Sequence, residues 1–590
     1  MPDTTNIELA AALDELGDLN ELDGAIVHRV VAYRNAAKAI REAPASVAAL
    51  VREGRATELP GVGKTLDEKL RALIETGSIP AAEKLRAKFP AGLVAMTKLE
   101  GLGPKRARRL YDELGIDSLA ALGEAATAGR ISELKGFGPK AEQALLSALA
   151  AHEQRPAAAR LVLAKAMPVA EAILDGLRAH PAVERAEVAG SARRLADDVK
   201  DLDVVVASED AGAVAQAFAE LEVIAQSNGG EGGARGQAQN GLRVDLRVVP
   251  RATFGNLLQH FTGAKAHNVR LREMAVRRGL HVSEHGILDD ASGETVRCAS
   301  EEQVYAALGL PYVEPELREN RGELEPGFEP PELVTLGDLR GDLHCHTVAS
   351  DGHATIEEMA LAARERGHAY LAITDHSASH GFGNDVSPDA LRRQIEHVRA
   401  VDARTDGIRV LAGSEVNVLP DGSLDYDDEL LAQLDWVVAS VHTSFRMSAD
   451  AMTERMVRAI EHPLVDAIGH PTGRLIGKRR GYAVDVAGLI EAAARSGTLL
   501  EINGAPDRRD LDELHARAAS AAGVKIVLDS DAHRPATLAN QRWAVATARR
   551  AWLTASDIAN TRSWEQLRAL RGRSEDVKRT GGAAAKRARG

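Results

Sequence analysis

The stretch Lys200–Ser208, KDLDVVVAS, sets two carboxylates, Asp201 and Asp203, on either side of Leu202 and just ahead of three valines. A β-branched run of this kind predicts a strand, and on a strand residues i and i+2 point to one face. Two carboxylates side by side repel each other when both are ionised. A half-exposed hairpin end tolerates that pair, whereas a divalent cation gives it a purpose, because hard cations take carboxylate oxygens. The flanking sequence decides. Ten residues before Asp201, Gly190 and Ser191 open GSARR, a turn that offers N–H and hydroxyl donors beside Arg193 and Arg194. Such a turn suits a triphosphate. Further on, GLRVDLRVV (241–249) sets Asp245 in a second β-branched run, where it completes a set of three carboxylates. A phosphate cradle with three carboxylates suits two-metal phosphoryl transfer to a 3′-hydroxyl, with magnesium or manganese as the ion.

The totals frame this reading. A chain of 590 residues with 45% hydrophobic content predicts several globular domains. No run approaches the ~18 apolar residues of a membrane span, the first residues are acidic and unlike a signal peptide, and two cysteines, Cys298 and Cys345, exclude a disulfide framework. A reducing cytoplasm is expected. The formal charge of −13 argues against nucleic acid only superficially, since binding needs a local basic surface and not a basic average. GPKRARRL (103–110), VRLREMAVRRG (269–279) and the tail VKRTGGAAAKRARG (577–590) are candidates for that surface.

The first 150 residues read as short amphipathic helices, and one pattern recurs in them: LPGVGKTLDEKL from Leu59, LEGLGPKRARRL from Leu99 and LKGFGPKAEQAL from Leu134. Each has a Gly–apolar–Gly turn, a lysine and then a helical period. The turns use Gly61 and Gly63, Gly101 and Gly103, and Gly136 and Gly138, with Lys105 and Lys140 beside the second and third. A single copy could be an ordinary helix corner. Three copies with lysines point to DNA held by its phosphate backbone, through open N–H groups at helix starts.

After about residue 155 strands and helices mix. Then Pro311, Pro315, Pro326, Pro330 and Pro331 fall among many glutamates and mark a domain boundary. Beyond it GDLHCH, AYLAITDH, IRVLAGSEV, WVVASVH, DAIGH, TLLEIN and KIVLDSDAH alternate with Ala-rich helical stretches, which argues a parallel barrel. Twelve of the 19 histidines lie after residue 340. Six of the seven runs end in metal-ligand types: His344 and His346, His376, Glu415, His442, His470, and Asp531 with His533, while Asp351 follows the first run in a loop. Chemistry in parallel barrels gathers at strand C-termini, and mixed imidazole and carboxylate donors suit manganese, zinc or iron.

Gly190, Ser191, Asp201, Asp203 and Asp245, in this order, resemble the nucleotidyltransferase core of bacterial family X (polymerase beta-like) DNA polymerases. HFTGAKAHNVRLR (260–272) resembles the start of that family's thumb. The resemblance implies that Arg194 joins Gly190 and Ser191 at the nucleotide, that Phe261 and Gly263 lie against its sugar, that Asn268 meets the incoming base, and that Arg272 lies along the minor groove. His260 and Ala264 stand where many relatives carry tyrosine and serine, which bears on rejection of ribonucleotides. HRVVAYRNAAKAI (28–40) resembles the family's small amino-terminal domain, implying a phosphate pocket of His28, Arg29 and Tyr33 and a Schiff-base lysine, Lys69, for removing a 5′-deoxyribose phosphate. Thr65 stands where relatives often have a further lysine. The glycine-rich SNGGEGGARGQAQNG (227–241), just before Asp245, is expected to be a mobile loop.

The histidine and carboxylate array resembles a PHP (polymerase and histidinol phosphatase) domain. That implies a distorted seven-stranded barrel with up to three metals, Glu415 bridging them, and hydrolysis of phosphoesters. Together the resemblances imply a multidomain α+β and α/β chain. Its parts are a lyase-like helical domain with the first helix-hairpin-helix (1–85), a fingers-like helix-hairpin-helix domain (86–153), a palm (154–258), a thumb (259–315), a Pro-rich linker (316–337), the PHP domain (338–573) and a basic tail (574–590). The expected activities are gap-filling synthesis in DNA repair and 3′–5′ exonuclease or 3′-end processing, with lyase and AP endonuclease activity as further candidates. The expected partners are gapped or nicked DNA, 3′ ends and deoxynucleoside triphosphates, with no membrane and a monomeric state. Two rivals keep part of this: a polymerase joined to a small-molecule phosphatase, and a non-catalytic scaffold for DNA ends.

Overall fold

The computed structural model describes residues 4–99, 101–153, 160–230, 232–379, 381 and 385–571; the basic tail at 574–590 lies outside them. The chain forms two compact units. One comprises Met1–Leu161, Lys165–Val188 and Lys200–Phe254, and the other comprises Val162–Ala164, Ala189–Val199 and Gly255–Gly590.

The first unit opens with α1 (Asn6–Leu22), started by a capping box in which Thr5 and Glu8 satisfy each other's backbone N–H groups. Leu9, Leu13, Leu16 and Leu19 lie along one face and are fully buried, with α2 (Val27–Glu42) against it. The three repeated turns lead into α3 (Lys64–Thr76), α4 (Pro104–Leu114) and α5 (Pro139–Glu153), and they share one conformation. Gly61, Gly101 and Gly136 have φ of 80°, 80° and 91°, a region costly to any residue with a Cβ. The N–H groups of Val62, Leu102 and Phe137 donate back to the carbonyls of Leu59, Leu99 and Leu134 at 3.1, 3.0 and 2.9 Å.

The same unit holds a five-stranded sheet of β1 (Arg185–Val188), β2 (Asp201–Ala207), β3 (Ile224–Gly230), β4 (Gly233–Ala238) and β5 (Arg243–Val249), in the order β1-β2-β5-β4-β3. β2 and β5 run parallel, and the other pairs are antiparallel. The glycine-rich stretch expected as a mobile loop is instead the hairpin β3–β4. Its glycines make close approaches possible: a Cβ on Gly233 would stand 1.9 Å from the Leu246 carbonyl oxygen, and one on Gly236 would stand 2.9 Å from the Phe218 ring. Composition read these residues as loop formers, but here they let the strands close on their neighbours.

In the second unit, α6 (Lys265–Val276) precedes an antiparallel meander of β6 (Leu280–Ser283), β7 (Gly286–Asp289) and β8 (Thr295–Val296). The segment 316–337, expected as a linker, is packed. Leu317, Leu324 and Leu333 join the core around Leu271, Ile287 and Tyr305, and the Phe328 ring meets Trp552 edge-on at 5.4 Å. The prolines fix its course, and the apolar residues between them supply the burial that a bare link would lack.

The barrel follows, with β9 (Gly341–Asp342), β10 (Tyr370–Ile373), β11 (Arg409–Asn417), β12 (Trp436–Ser440), β13 (Ala467–Ile468), β14 (Leu499–Asn503) and β15 (Ile526–Asp529). They are parallel neighbours in chain order. Side chains close much of the seam between first and last. Gln541 Nε2 and Asn560 Nδ2 both donate to the carbonyls of Gly341 and Leu528, at 2.7–3.0 Å. Asp529 accepts from the Leu343 N–H at 2.9 Å, and Asp342 from the Ser530 N–H at 3.1 Å. At the C-terminal rim the ladder resumes, with the His346 N–H donating to Ala532 at 2.8 Å.

Candidate active sites

The register of the five-stranded sheet pairs Asp203 directly with Asp245, and Asp201 with Arg243. Since residues two apart share a face, the three carboxylates line one face at the end of β2 and β5. Arginines partly offset their charge: Arg243 lies 3.5 Å from Asp201, and Arg247 and Arg235 lie 3.1 and 3.8 Å from Asp245.

In the other unit, Gly190 and Ser191 begin the short helical turn Gly190–Arg193. Both arginines that follow are turned inward. Arg193 donates to Thr262 Oγ1 at 2.8 Å and Glu301 at 2.6 Å. Arg194, expected at the nucleotide, donates to Glu319 and to the Thr262 carbonyl at 2.9 Å each. At 263 a side chain would collide with Asn268, whose Oδ1 would stand 2.5 Å from the new Cβ. Asn268 itself brackets this turn, donating to the carbonyls of His260 and Gly263 at 2.7 and 3.1 Å and accepting from Gln259 at 3.0 Å. Phe261 is half-buried beside His260, with ring centroids 5.6 Å apart, while Arg272 is exposed.

Lys105 and Lys140 are exposed beside their glycine turns. The guanidinium of Arg106 stacks over Phe137 at 4.4 Å, tying the second turn to the third. His28 and Arg29 are exposed on α2, Tyr33 faces the helical core, and Lys69 is half-buried on α3.

The barrel rim gathers all nine of the histidines and carboxylates singled out from its sequence. His346, Asp351, His376 and His533 form one group, His344, His346 and Asp531 a second, and His376, Glu415 and His442 a third. His470 joins through Glu415, Nε2 to Oε1 at 2.9 Å. Glu415 lies at the centre, with His376 Nδ1 at 2.8 Å and His442 Nε2 at 3.2 Å. Burial opposes its ionisation, yet His442, His344 and His376 outweigh burial and hold its carboxyl well below the usual range. His344 Nε2 and both ring nitrogens of His346 are buried without a hydrogen bond among the described residues. Buried lone-pair donors beside ionised carboxylates are a donor set that divalent cations fit, and left empty they carry a desolvation cost.

Further residues complete this centre that sequence reading did not single out. Glu501, on the one strand without a predicted ligand, takes His344 Nδ1 at 2.6 Å and the His470 N–H at 2.5 Å. Asn503 donates to Asp531 at 3.1 Å and to Glu501 at 3.2 Å, and Arg508 Nε lies 3.6 Å from Asp531. Asp375 accepts from Thr347 Oγ1 and Ser350 Oγ at 2.6 Å each, which fixes the loop that carries Asp351. A carboxylate inside the apolar run TLLEIN was the available signal for Glu501.

Comparison with known proteins finds matches along most of the chain. A helix-hairpin-helix domain matches residues 4–79, a SAM-like helix-hairpin-helix tandem 93–151, a DNA polymerase beta thumb 257–319, and a PHP domain 342–505. The DNA polymerase/3'-5' exonuclease PolX of Bacillus subtilis (strain 168) is 36% identical over 572 residues, covering 96% of this chain and 99% of that protein. The chain belongs to the PolX family. Part of the chain also resembles smaller proteins. A probable phosphatase of Thermoanaerobacter sp. (strain X514) is 32% identical over 37% of this chain and 89% of its own length. One of Shewanella oneidensis is 32% identical over 32% of this chain and 75% of its own length. The PolX relative spans nearly the whole chain, whereas these phosphatases match about a third of it. Among the described residues no helix is long and apolar enough to cross a membrane.

Proposed function

We propose that this PolX family member is a DNA-directed DNA polymerase that fills short gaps during repair and carries a metal-dependent 3′–5′ exonuclease in its barrel. The observation that carries this reading is the presence of two separate acidic centres on one chain. Asp203 is in register with Asp245 in the five-stranded sheet, and nine ligand-type side chains meet on the barrel rim. A relative that is itself named for both activities covers nearly the whole chain.

In this reading Asp201, Asp203 and Asp245 hold magnesium or manganese. His344, His346, Asp351, His376, Glu415, His442, His470, Asp531 and His533 hold up to three manganese, zinc or iron ions. When bound, such ions supply Lewis acidity toward phosphoryl oxygens and lower the pKa of water. The chain's own residues do the rest. Glu501 holds His344 so that Nε2 faces the cluster, and Asp375 holds the loop that presents Asp351. Ser191 and the backbone of its turn receive the triphosphate, while Gly263 leaves room that a side chain would fill. The glycine turns with Lys105 and Lys140 grip the DNA backbone, which positions the strand without reading its bases. Soft imidazole donors make magnesium a poor substitute for manganese at the rim.

The similarity of about a third of the chain to probable phosphatases favours a second reading, in which the rim hydrolyses a small phosphorylated metabolite. One substrate separates the readings: a gapped duplex with a 5′-phosphate and a labelled primer, incubated with wild type, Asp203→Ala and His344→Ala. Asp203→Ala should stop extension and still shorten the primer with manganese, while His344→Ala should extend and not shorten. Wild-type enzyme that extends but never shortens DNA, yet hydrolyses mononucleotides, supports the phosphatase; no chemistry at either centre supports a scaffold.

A further inference from the structure

The loop between β14 and the helix beginning at Glu513 carries two consecutive arginines that point to different partners. Arg508 stands beside Asp531 of the rim cluster, 3.6 Å away. Arg509 turns from the cluster toward the loop 194–197, which follows the turn Gly190–Arg193 and belongs to the same compact unit. Its side chain is 1% exposed. It donates to the carbonyls of Leu195 and Ala196 at 2.9 and 3.0 Å and to Thr547 Oγ1 at 2.9 Å.

Other barrel arginines hold the same loop. Arg550 donates to the Arg194 carbonyl at 2.7 Å, and Arg474 pairs with Asp197 at 2.8 Å, where Arg509 also approaches to 3.4 Å. Three successive carbonyls, from Arg194 to Ala196, are thus held by buried cations. These carbonyls leave a short helical turn whose own hydrogen bonds cannot satisfy them, and charge-assisted bonds to them are stronger than neutral ones. Leu195 has a φ of 56°, a backbone region unfavourable for leucine, so the loop depends on its partners to stay in place.

We propose that Arg509 is a positioning residue for nucleotide binding: the barrel, through this loop, sets the place of the turn that receives the triphosphate. This rests on the reading above that Gly190 and Ser191 contact the nucleotide. Arg509 touches neither nucleotide nor rim cluster. Its loss should loosen the turn while leaving the carboxylates on β2 and β5, and the nine rim ligands, unaltered.

The test is steady-state gap filling by the full-length chain, with the nuclease of the same preparation as the measure of an intact barrel. Arg509→Ala should raise the KM for the incoming nucleotide tenfold or more, with kcat within about threefold of wild type and the manganese-dependent shortening of a 3′-labelled strand unchanged. A general loss of structure would instead lower both activities together. Ser191→Asp, which sets a negative charge on the turn, separates the two levels of the argument. If Ser191→Asp raises KM and Arg509→Ala does not, the turn binds nucleotide but the barrel does not position it, and the proposal is overturned. If Ser191→Asp leaves KM unchanged, the nucleotide reading of the turn fails and takes the proposal with it. Should Arg509→Ala lose the nuclease, Asp197→Asn decides, because it weakens the contacts with Arg474 and Arg509 from the loop side: a KM raised threefold or more sustains the proposal, and an unchanged KM overturns it.

Discussion

His344 Nδ1 stands 2.6 Å from Glu501 Oε1, and both residues are buried. With Nδ1 taken by Glu501, Nε2 is the nitrogen left for the cluster. Carboxylates behind metal-ligating histidines typically change affinity or activity by about 10–100-fold when removed. Glu501→Gln should therefore reduce manganese-dependent shortening by about that factor, partly restored by more manganese, with primer extension unchanged. Undiminished nuclease would show that His344 needs no such support.

Removing metal should be visible in stability. A ligand that binds only the folded state at 100 times its Kd adds about 2.7 kcal/mol. Manganese should therefore raise the melting temperature of chelator-treated protein, in a concentration-dependent way. His346 belongs to two of the three ligand groups, so His346→Ala should lose most of that increment. Differential scanning fluorimetry with and without manganese reads this directly; equal increments in both proteins would remove His346 from the cluster.

Gly233 sits where a Cβ would come within 1.9 Å of the Leu246 carbonyl oxygen, at a φ of 151°. Gly230, on the partner strand, has nothing within 4 Å. Overpacking of this kind costs about 1–3 kcal/mol. Gly233→Ala should accordingly lower the urea midpoint of the transition that includes the five-stranded sheet, whereas Gly230→Ala should leave it nearly unchanged. Equal effects would mean that the hairpin is looser than its contacts indicate.

Lys69, half-buried on α3, is the candidate Schiff-base lysine. Borohydride added during incubation with a 5′-deoxyribose phosphate end should trap a covalent adduct that Lys69→Ala loses. An adduct that persists in Lys69→Ala assigns the chemistry to another amine.

What could be read directly was local. The valine run after Asp203, the strand-like runs from GDLHCH to KIVLDSDAH, and the Gly–apolar–Gly turns each carry their conformation in a few neighbouring residues. Ligand types at the ends of successive strands then predicted the rim, because a parallel barrel brings all strand C-termini to one side. Arg509 and the inward course of Arg193 and Arg194 had no such signature, and Glu501 had only that of a carboxylate in an apolar run. A carboxylate within a strand, or one arginine among 73 basic residues, acquires a role only from partners far away in the chain: His344 is 157 residues from Glu501, and Ala196 is 313 from Arg509. The glycine-rich hairpin makes the same point, since glycine permits both a loose loop and a close contact, and only Leu246 and Phe218 opposite decide which. The sequence by itself determined the β-branched strands, the glycine turns and the ligand types at the rim, since backbone preference and side-chain period act over a few residues. Tertiary structure alone decided which buried groups face one another, because burial and hydrogen bonding depend on segments that meet only once the chain is folded.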